Sequence, residues 1–400
     1  MLLPSRKVFY CILLVLMSLV SYHAFKTYNF TNIISFDYKS SVTLKKVIEN
    51  VAGASKSDMK YILQWTSPTN VPFVYMGQGQ EGFIDRKCPY TNCFVTADRS
   101  FLSDHSKFDI IVFAGPEAVG LYSLPTNRSP HQKYVFATIE SSHNYPVCSN
   151  RFDGYFNWTW TYNLDSEVQW GYFAIRNSNG DKVGPKKQMH WMKLEDMDPV
   201  SEEFKNGLKT KTKAAAWFVS NCYTASHREA LVKELKSEMN KYGMDLDVYG
   251  KCGDLKCPNQ NVKDCDKLLK DTYYYYLSFE NSSSEDYVTE KLLHALENDV
   301  VPIVYGGANY TRFMPDGIYL NAKELDVKTL VSKMNEGITN ADKYAEYFRW
   351  KNHYSYHRQF ESSDTDPYCL FCTHLNNEEM VNKTTIYKDF RKWWDPPERC

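Results

Sequence analysis

The sequence predicts an α/β protein whose clearest part is a doubly wound parallel sheet, and three observations carry that expectation. Apolar runs of strand length recur through the chain. They are continuous rather than alternating, as in strands buried on both faces. In the second half, segments of helical periodicity separate them, and strand–helix–strand connections bring successive strands in parallel.

In chain order, Tyr61-Ile-Leu-Gln-Trp65, Pro72-Phe-Val-Tyr75, Asp109-Ile-Ile-Val-Phe113 and Tyr134-Val-Phe-Ala-Thr138 read as strands. Residues 183–213 are charged and end in Lys209-Thr-Lys-Thr-Lys213, which predicts a boundary there. Ala214–Val219 is the next strand. Ser226-His-Arg-Glu229 has capping-box spacing, in which serine and glutamate satisfy each other's free amides. Leu231, Leu235 and Met239 follow as one apolar helical stripe. A strand at Leu246–Tyr249, a helix near Val262–Lys270, a core strand at Tyr274–Phe279, a helix over 285–297 and a strand at Val300–Tyr305 complete the pattern. Such sheets bind ligands beyond the carboxyl ends of their strands. The loops after Val219, Tyr249, Phe279 and Tyr305 are therefore expected to line one crevice.

With 400 residues the chain exceeds one compact core and suggests two or three domains. Its 47 basic and 48 acidic residues leave a formal charge of −1, which argues against nucleic acid as a partner. At 43% hydrophobic and 24% charged it reads as neither disordered nor multi-spanning. Val8–Phe25 is an uncharged, mostly apolar run of 18 residues behind Arg6-Lys7. That length meets the roughly 17-residue minimum for a membrane helix. An anchor is preferred to a cleaved signal, because no A-x-A-like site follows and Ala24 has Tyr22 two residues before it. The flanking charge keeps residues 1–7 cytoplasmic. The expectation is a single-pass type II protein: an anchor over 8–25, a polar stem over 26–58 and a lumenal body. The run's short length suits membranes of the early secretory pathway.

Ten cysteines lie beyond the apolar run, an even number that reads as disulfides in an oxidising compartment. The close pairs Cys88/Cys93, Cys252/Cys257 and Cys369/Cys372 are predicted as local bridges. Sequons at Asn29, Asn157, Asn309 and Asn382 are candidate glycosylation sites. Three other strings carry less. Gly77-Gln-Gly-Gln-Glu-Gly82 matches a dinucleotide fingerprint but opens no amphipathic helix to hold a pyrophosphate. Asp245-Leu-Asp247, Asp196-Met-Asp198 and Asp364-Thr-Asp366 are D-x-D strings at near-chance frequency, and Asp247 belongs to a strand edge. His353 and His357, read on one helix face with Cys369 and Cys372 beyond, resemble a zinc inventory, although a bridge between the cysteines suits the compartment better.

Two stretches place charge where a doubly wound sheet binds phosphates. Arg228 falls in the first turn of the helix after Ser220-Asn221, where a guanidinium beside unpaired amides makes an anion site. In Phe279-Glu-Asn-Ser-Ser-Ser-Glu-Asp-Tyr-Val-Thr-Glu-Lys291 a strand ends, a polar loop turns and a helix starts around Tyr287, Glu290 and Lys291. A lysine there can neutralise a diphosphate, a glutamate can accept from ribose hydroxyls, and a tyrosine can pack on a base or sugar. A solvated helix start with ordinary surface charges is the plain alternative, and the residues alone do not separate the two.

The ordered string Tyr276-Leu-Ser-Phe-Glu-Asn-Ser282, Asp286-Tyr-Val-Thr-Glu-Lys291, Val301-Pro-Ile-Val304 and Asn309-Tyr310 resembles the signature of α1,3-fucosyltransferases that use GDP-fucose. Trp217-Phe-Val-Ser-Asn221 with Arg228, Asp247-Val-Tyr-Gly250 and Tyr347-Phe-Arg-Trp350 follow the same pattern. So do Arg128-Ser-Pro-His-Gln132, Glu140-Ser141 and Phe156-Asn-Trp-Thr159 with Tyr162. The likeness runs from about Lys60 to Cys372 and is closest to invertebrate members. It implies a GT-B architecture, two Rossmann-like doubly wound domains facing a cleft. The acceptor side would span 59–205, the donor side 206–345, and helices with a cysteine-containing tail 346–400.

By the same resemblance Arg228 and Lys291 hold the donor's diphosphate, Glu290 the ribose, and Tyr249 and Tyr287 the nucleotide. Asn221 and Asn281 lie near the donor, and Glu140 is the general base. The implied reaction passes fucose, with inversion, from GDP-β-L-fucose to the 3-hydroxyl of N-acetylglucosamine in an N-glycan core or antenna. The implied compartment is the Golgi cisterna membrane. No cofactor is expected to be essential and a divalent cation at most stimulates; no oligomeric state is implied. Two departures fall on the acceptor half: Tyr162-Asn-Leu-Asp-Ser-Glu167 replaces a Tyr-Arg-Arg-Asp-Ser-Asp type run, and Ser142 stands where proline is usual. They keep a second class open, a lumenal protein of the same fold that binds glycan or nucleotide-sugar without catalysis.

Overall fold

The computed structural model describes residues 58–118, 120, 124–257 and 262–394. The predicted cytoplasmic stretch, the anchor over 8–25, Asn29 and nearly all of the stem lie outside the described residues. Two parallel sheets organise the rest. The first comprises β1 (Lys60–Gln64), β2 (Cys93–Thr96), β3 (Ile110–Ala114), β4 (Lys133–Thr138), β5 (Trp158–Thr161) and β6 (Val168–Gln169) in the order β2-β1-β3-β4-β5-β6. A small antiparallel sheet uses β7 (Phe173–Asn177) and β8 (Lys182–Gly184). The second parallel sheet takes β9 (Lys213–Phe218), β10 (Leu246–Tyr249), β11 (Tyr273–Phe279), β12 (Val301–Tyr305) and β13 (Leu320–Asn321) in the order β10-β9-β11-β12-β13. β14 (Tyr354–Arg358) returns to pair with β7.

The α/β expectation with parallel sheets therefore holds. Both faces of each large sheet are covered, which is why β3 and β4 are buried at every position and tolerate no polar alternation. In the second half the connecting helices are α1 (Arg228–Asn240), α2 (Val262–Thr272), α3 (Glu290–Glu297) and α4 (Val327–Thr339). α1 buries Val232, Leu235 and Met239 against the second sheet, close to its predicted stripe. Registers place Phe279 beside Tyr305 and Tyr249 beside Phe218, so these strands end along one edge. The Tyr273–Tyr276 run is central strand, as expected. Asp247 lies on the edge strand β10, its carboxylate held by Lys213 and the Tyr273 hydroxyl, both at 2.6 Å.

The chain beyond residue 346 is shared between these layers rather than set apart. Besides β14, α5 (Pro367–Leu375) packs in the core of the first sheet, where Phe371 stacks on Trp160 at 4.3 Å. The short terminal helix α6 (Phe390–Trp394) covers another face of the same sheet, with Phe390 and Trp394 each 4.9 Å from Phe136.

Several local expectations are corrected. Pro72–Tyr75 is no strand: Phe73–Tyr75 forms a 3-10 turn with Phe73 buried. Ser226 and Glu229 make no capping box. His227 precedes α1 in the left-handed region, Ser226 donates to the Glu280 carbonyl, and Glu229 accepts from the Thr224 amide and hydroxyl. The helix predicted over 285–297 begins only at Glu290. His353 ends a 3-10 turn and His357 lies in β14, so they share no helix face.

The three local cysteine bridges are also overturned. Among the described residues the bonds include Cys88–Cys369, Cys93–Cys372, Cys222–Cys252 and Cys257–Cys265. Cys369 and Cys372 lie three apart on one face of α5, so both reach across to the β2 region instead of toward each other. This also removes them from any zinc inventory. The first two bridges close chain separations of 281 and 279 residues, nearly the same loop. Once one exists, the other closes only a ring of about ten residues. The chain-entropy relation then assigns about 3 kcal/mol to the second bridge and between 5 and 6, roughly, to the first. Replacing either pair by alanine should cost about 3 kcal/mol, and replacing both about 8, more than the sum. Denaturant midpoints of the three variants would show this; additive losses would contradict the shared-loop account.

Candidate active site

Loops at the carboxyl ends of β4 and β11 meet. After Thr138 the chain turns through Glu140, Ser141 and Ser142; after Phe279 it runs irregularly from Glu280 to Thr289 before α3. The Ser282 hydroxyl donates to Ser141 Oγ at 2.6 Å. Ser142 Oγ donates to Ser284 Oγ at 3.1 Å, and the His143 amide reaches the same oxygen at 3.1 Å. Ser142, where the resembling family usually carries proline, also donates its amide to the Tyr162 hydroxyl at 3.0 Å, a bond proline could not make.

Glu140 is half-buried at this seam, and the Tyr287 hydroxyl donates to its Oε2 at 3.3 Å. The Tyr287 ring packs edge-on against Tyr162 at 5.0 Å and Tyr172 at 6.2 Å. Tyr172 in turn donates to the Ile139 carbonyl at 2.8 Å. Burial, reinforced by nearby Glu140 and Glu280, drives the Tyr287 and Tyr172 phenols well above their ordinary range. Both hydroxyls therefore stay protonated and act as donors that hold the Glu140 turn.

Lys291 sits in the first turn of α3. Its Nζ lies 3.2 Å from Glu280 Oε2, 3.0 Å from Glu290 Oε1 and 2.7 Å from Thr289 Oγ1. Burial works against its charge, but Glu280 and Glu290 outweigh it and raise the ammonium pKa. Burial pushes Glu280 up, against the pull of Lys291, while Thr289 supplies amide and hydroxyl donors to its carboxylate. For exposed Glu290 the lysine prevails over desolvation and its pKa falls. Three charges thus share one loop, two acidic and one basic.

Arg228, only 3% exposed, lies over the Trp217 ring at 5.4 Å and donates to the carbonyls of Phe279 and Asn221. Burial lowers its pKa, with Glu280 opposing. Its Nε is buried without a hydrogen-bond partner, as is Asn281 Oδ1 on the neighbouring loop. A donor and an acceptor thus remain unspent at the sheet edge, where a polar ligand would satisfy them.

The structure therefore brings Glu140, Tyr287, Glu290 and Lys291 together around one loop, and joins Arg228, Asn221 and Asn281 to it through Phe279 and Glu280. Tyr249 stands apart. It is 6% exposed, packs against Phe218 at 5.3 Å and shares its hydroxyl with Tyr273 at 2.6 Å. Glu280, Thr289, Tyr172 and Asp286 were not singled out from sequence. Asp286, wholly buried and in the left-handed region at φ 58°, is paired by Lys187 and Arg312 at 2.6 Å each. It also accepts the Leu164 amide at 3.2 Å, tying the unusual Asn163-Leu164 stretch to the β11 loop.

Among the sequons, Asn309 and Asn382 are exposed, whereas half-buried Asn157 spends its amide on the Thr385 carbonyl at 2.8 Å. Among the described residues no group of three or more His, Cys, Asp or Glu side chains could hold a metal ion. Nor is any helix there long and apolar enough to cross a membrane.

A parallel α/β scaffold with carboxylates and cations gathered at strand ends suits an enzyme that moves a sugar, and comparison with known proteins makes the class definite: the protein is a glycosyltransferase. It belongs to glycosyltransferase family 10, the fucosyltransferases. The model described as "Glycosyltransferase family 10 (fucosyltransferase) C-term" matches residues 208–393, and that for "Fucosyltransferase, N-terminal" matches 57–173. The chain is similar to alpha-(1,3)-fucosyltransferase C of Drosophila melanogaster, 36% identical over 77% of this chain and 70% of that protein. It is also similar to glycoprotein 3-alpha-L-fucosyltransferase A of the same organism, 30% identical over 86% of this chain and 62% of the relative. A crystal structure of an alpha1,3-fucosyltransferase with GDP-fucose aligns at 18% identity, covering 84% of this chain and 94% of that one, with a TM-score of 0.46.

Proposed function

We propose that the protein transfers L-fucose from GDP-β-L-fucose, with inversion, to the 3-hydroxyl of N-acetylglucosamine in glycoprotein glycans. The observation that carries this reading is the seam between the β4 and β11 loops, which sets Glu140 against Tyr287 four residues before Lys291. In the proposed step Glu140 accepts the proton of the acceptor hydroxyl as that oxygen bonds to the anomeric carbon. The bond from that carbon to the β-phosphate oxygen breaks on the opposite face, and its electron pair leaves with GDP. Lys291 and Arg228 meet the growing negative charge. Glu290, exposed beside Lys291, is suited to accept from the ribose, and Asn281 to face the donor. Asn221 completes the donor side as the resemblance assigns it, whereas Tyr249, buried with its hydroxyl shared with Tyr273, supports the sheet edge rather than the donor itself.

In this reading the halves carrying the two parallel sheets are the acceptor and donor sides of a GT-B enzyme. Two cationic side chains carry the task a metal ion performs elsewhere, so a divalent cation would at most stimulate. The anchor expected over residues 8–25 favours a type II Golgi protein with its body in the lumen, and the family resemblance favours an N-glycan core or antenna as acceptor.

Incubating the full chain with GDP-fucose and glycoprotein acceptors, followed by linkage analysis, tests the proposal. An α1,3-linked fucose on N-acetylglucosamine is expected. GDP bound without any transfer across core and lactosamine acceptors would establish the non-catalytic alternative instead.

A further inference from the structure

Beside the seam lies a cavity of about 150 Å³, lined among others by Ser142, Asn163 and Ser284 and by Lys392, Trp393 and Trp394 of α6. That volume equals about five waters at liquid density, the scale of one sugar ring. We propose that the terminal helix α6 forms an acceptor subsite, in which the half-buried Trp393 indole stacks on an uncharged sugar of the incoming oligosaccharide. The proposal rests on the glycosyl-transfer reading above and adds the part of the chain that recognises the acceptor.

Position argues for it first. Trp394 packs on Tyr162 at 5.8 Å, Tyr162 on Tyr287 at 5.0 Å, and Tyr287 meets Glu140. The cavity wall is thus continuous with the side chains that hold the proposed base. α6 is also firmly seated: Arg391 is paired with Asp153, and the Trp394 indole N–H donates to the Tyr145 carbonyl at 2.9 Å. Trp393 is braced by Tyr387 at 4.9 Å and Phe390 at 5.8 Å, which fixes its ring as a platform.

Chemistry argues for it second. Hydroxyls and an amide share the lining with an indole, matching the hydroxyl edge and the apolar C–H face of a pyranose. The cavity's remaining charges cancel locally. Asp165 and Glu285 balance Lys187 and Lys392 in its lining, and Lys187 is held by Asp286, Glu285 and Asp165 at 2.6, 3.1 and 3.9 Å, so no net positive charge there selects an anionic sugar.

The test uses the full chain and a glycopeptide bearing an uncharged N-linked glycan, with binding followed by calorimetry and transfer by acceptor KM. Trp393→Ala should raise both the glycopeptide Kd and the acceptor KM about tenfold, the worth of one aromatic contact. GDP affinity should stay unchanged, and Trp393→Phe should restore most of the binding. An unchanged Kd in Trp393→Ala would overturn the subsite while leaving transfer by the wild type, and so the proposed function, intact. Parallel loss of GDP affinity without rescue by phenylalanine would overturn it as well, exposing a structural role. Glycopeptide binding that depends on Trp393 without any transfer would sustain the subsite and sink the catalytic reading. Should Trp393→Ala not fold, N-bromosuccinimide oxidation of the wild type decides: protection of Trp393 by the glycopeptide supports the proposal, and unaltered oxidation refutes it.

Discussion

Glu140→Gln is expected to lower fucose transfer by a factor of about a thousand or more, the upper range for loss of a general base. GDP affinity should stay within about twofold, since its cationic partners are untouched. The substitution suits the site, because the glutamine carbonyl oxygen can still accept the Tyr287 hydroxyl now found at 3.3 Å from Oε2. The turn after β4 would keep its shape, and only the capacity to take a proton would vanish. Steady-state kinetics with GDP binding measured in parallel provide the check. Turnover within tenfold of the wild type would remove Glu140 from the base role.

Lys291→Met should strike both donor binding and the fold. The ammonium pairs with buried Glu280 and also with Glu290. Losing one member of a desolvated charge pair costs about 2–5 kcal/mol, so GDP affinity should fall about a hundredfold. Stability should drop by about 3 kcal/mol, because Glu280 is left buried without its counter-ion.

The pH dependence separates this account from general damage. The Glu280 carboxyl already titrates above its ordinary value because of burial. A raised folded pKa means that the native state binds the proton more tightly than the unfolded chain. The associated stability is complete below the unfolded pKa and is lost as pH rises through the folded one. Without Lys291 the folded value climbs further, so the variant's deficit should be largest at neutral pH and shrink toward pH 5. Melting curves across that range give the test; a deficit independent of pH would mean that Glu280 is not what Lys291 neutralises.

How much was legible in sequence follows from what each signal measures. β3, β4 and β11 were found because a strand covered on both faces must be apolar throughout, and composition records that directly. Arg228, Glu290 and Lys291 were placed at helix starts for the same local reason. The onset of α3 was misjudged because Ser-Ser-Glu-Asp reads as a polar helix entry. In the fold, Asp286 takes a left-handed backbone and points inward to Lys187 and Arg312, partners 99 and 26 residues away (286 − 187 and 312 − 286). Long-range pairing of this kind leaves no local trace. The cysteines mislead similarly, since nearness in sequence favours a small ring whereas α5 turns both thiols toward β2. Glu280 could have been found: a carboxylate directly after a strand buried at nearly every position has little choice but burial, and burial demands a nearby cation.

The placement of α5 bears on how the protein must be made. Tyr368, Cys369, Phe371, Cys372 and Leu375 complete the hydrophobic face of a sheet whose first strand begins at Lys60. As the polypeptide emerges vectorially, that sheet waits with bare tryptophans until Pro367–Leu375 has been made. A premature stop near residue 360 would therefore remove no mere appendage; it would leave the earlier-synthesised layer unsealed and a ready client for chaperones.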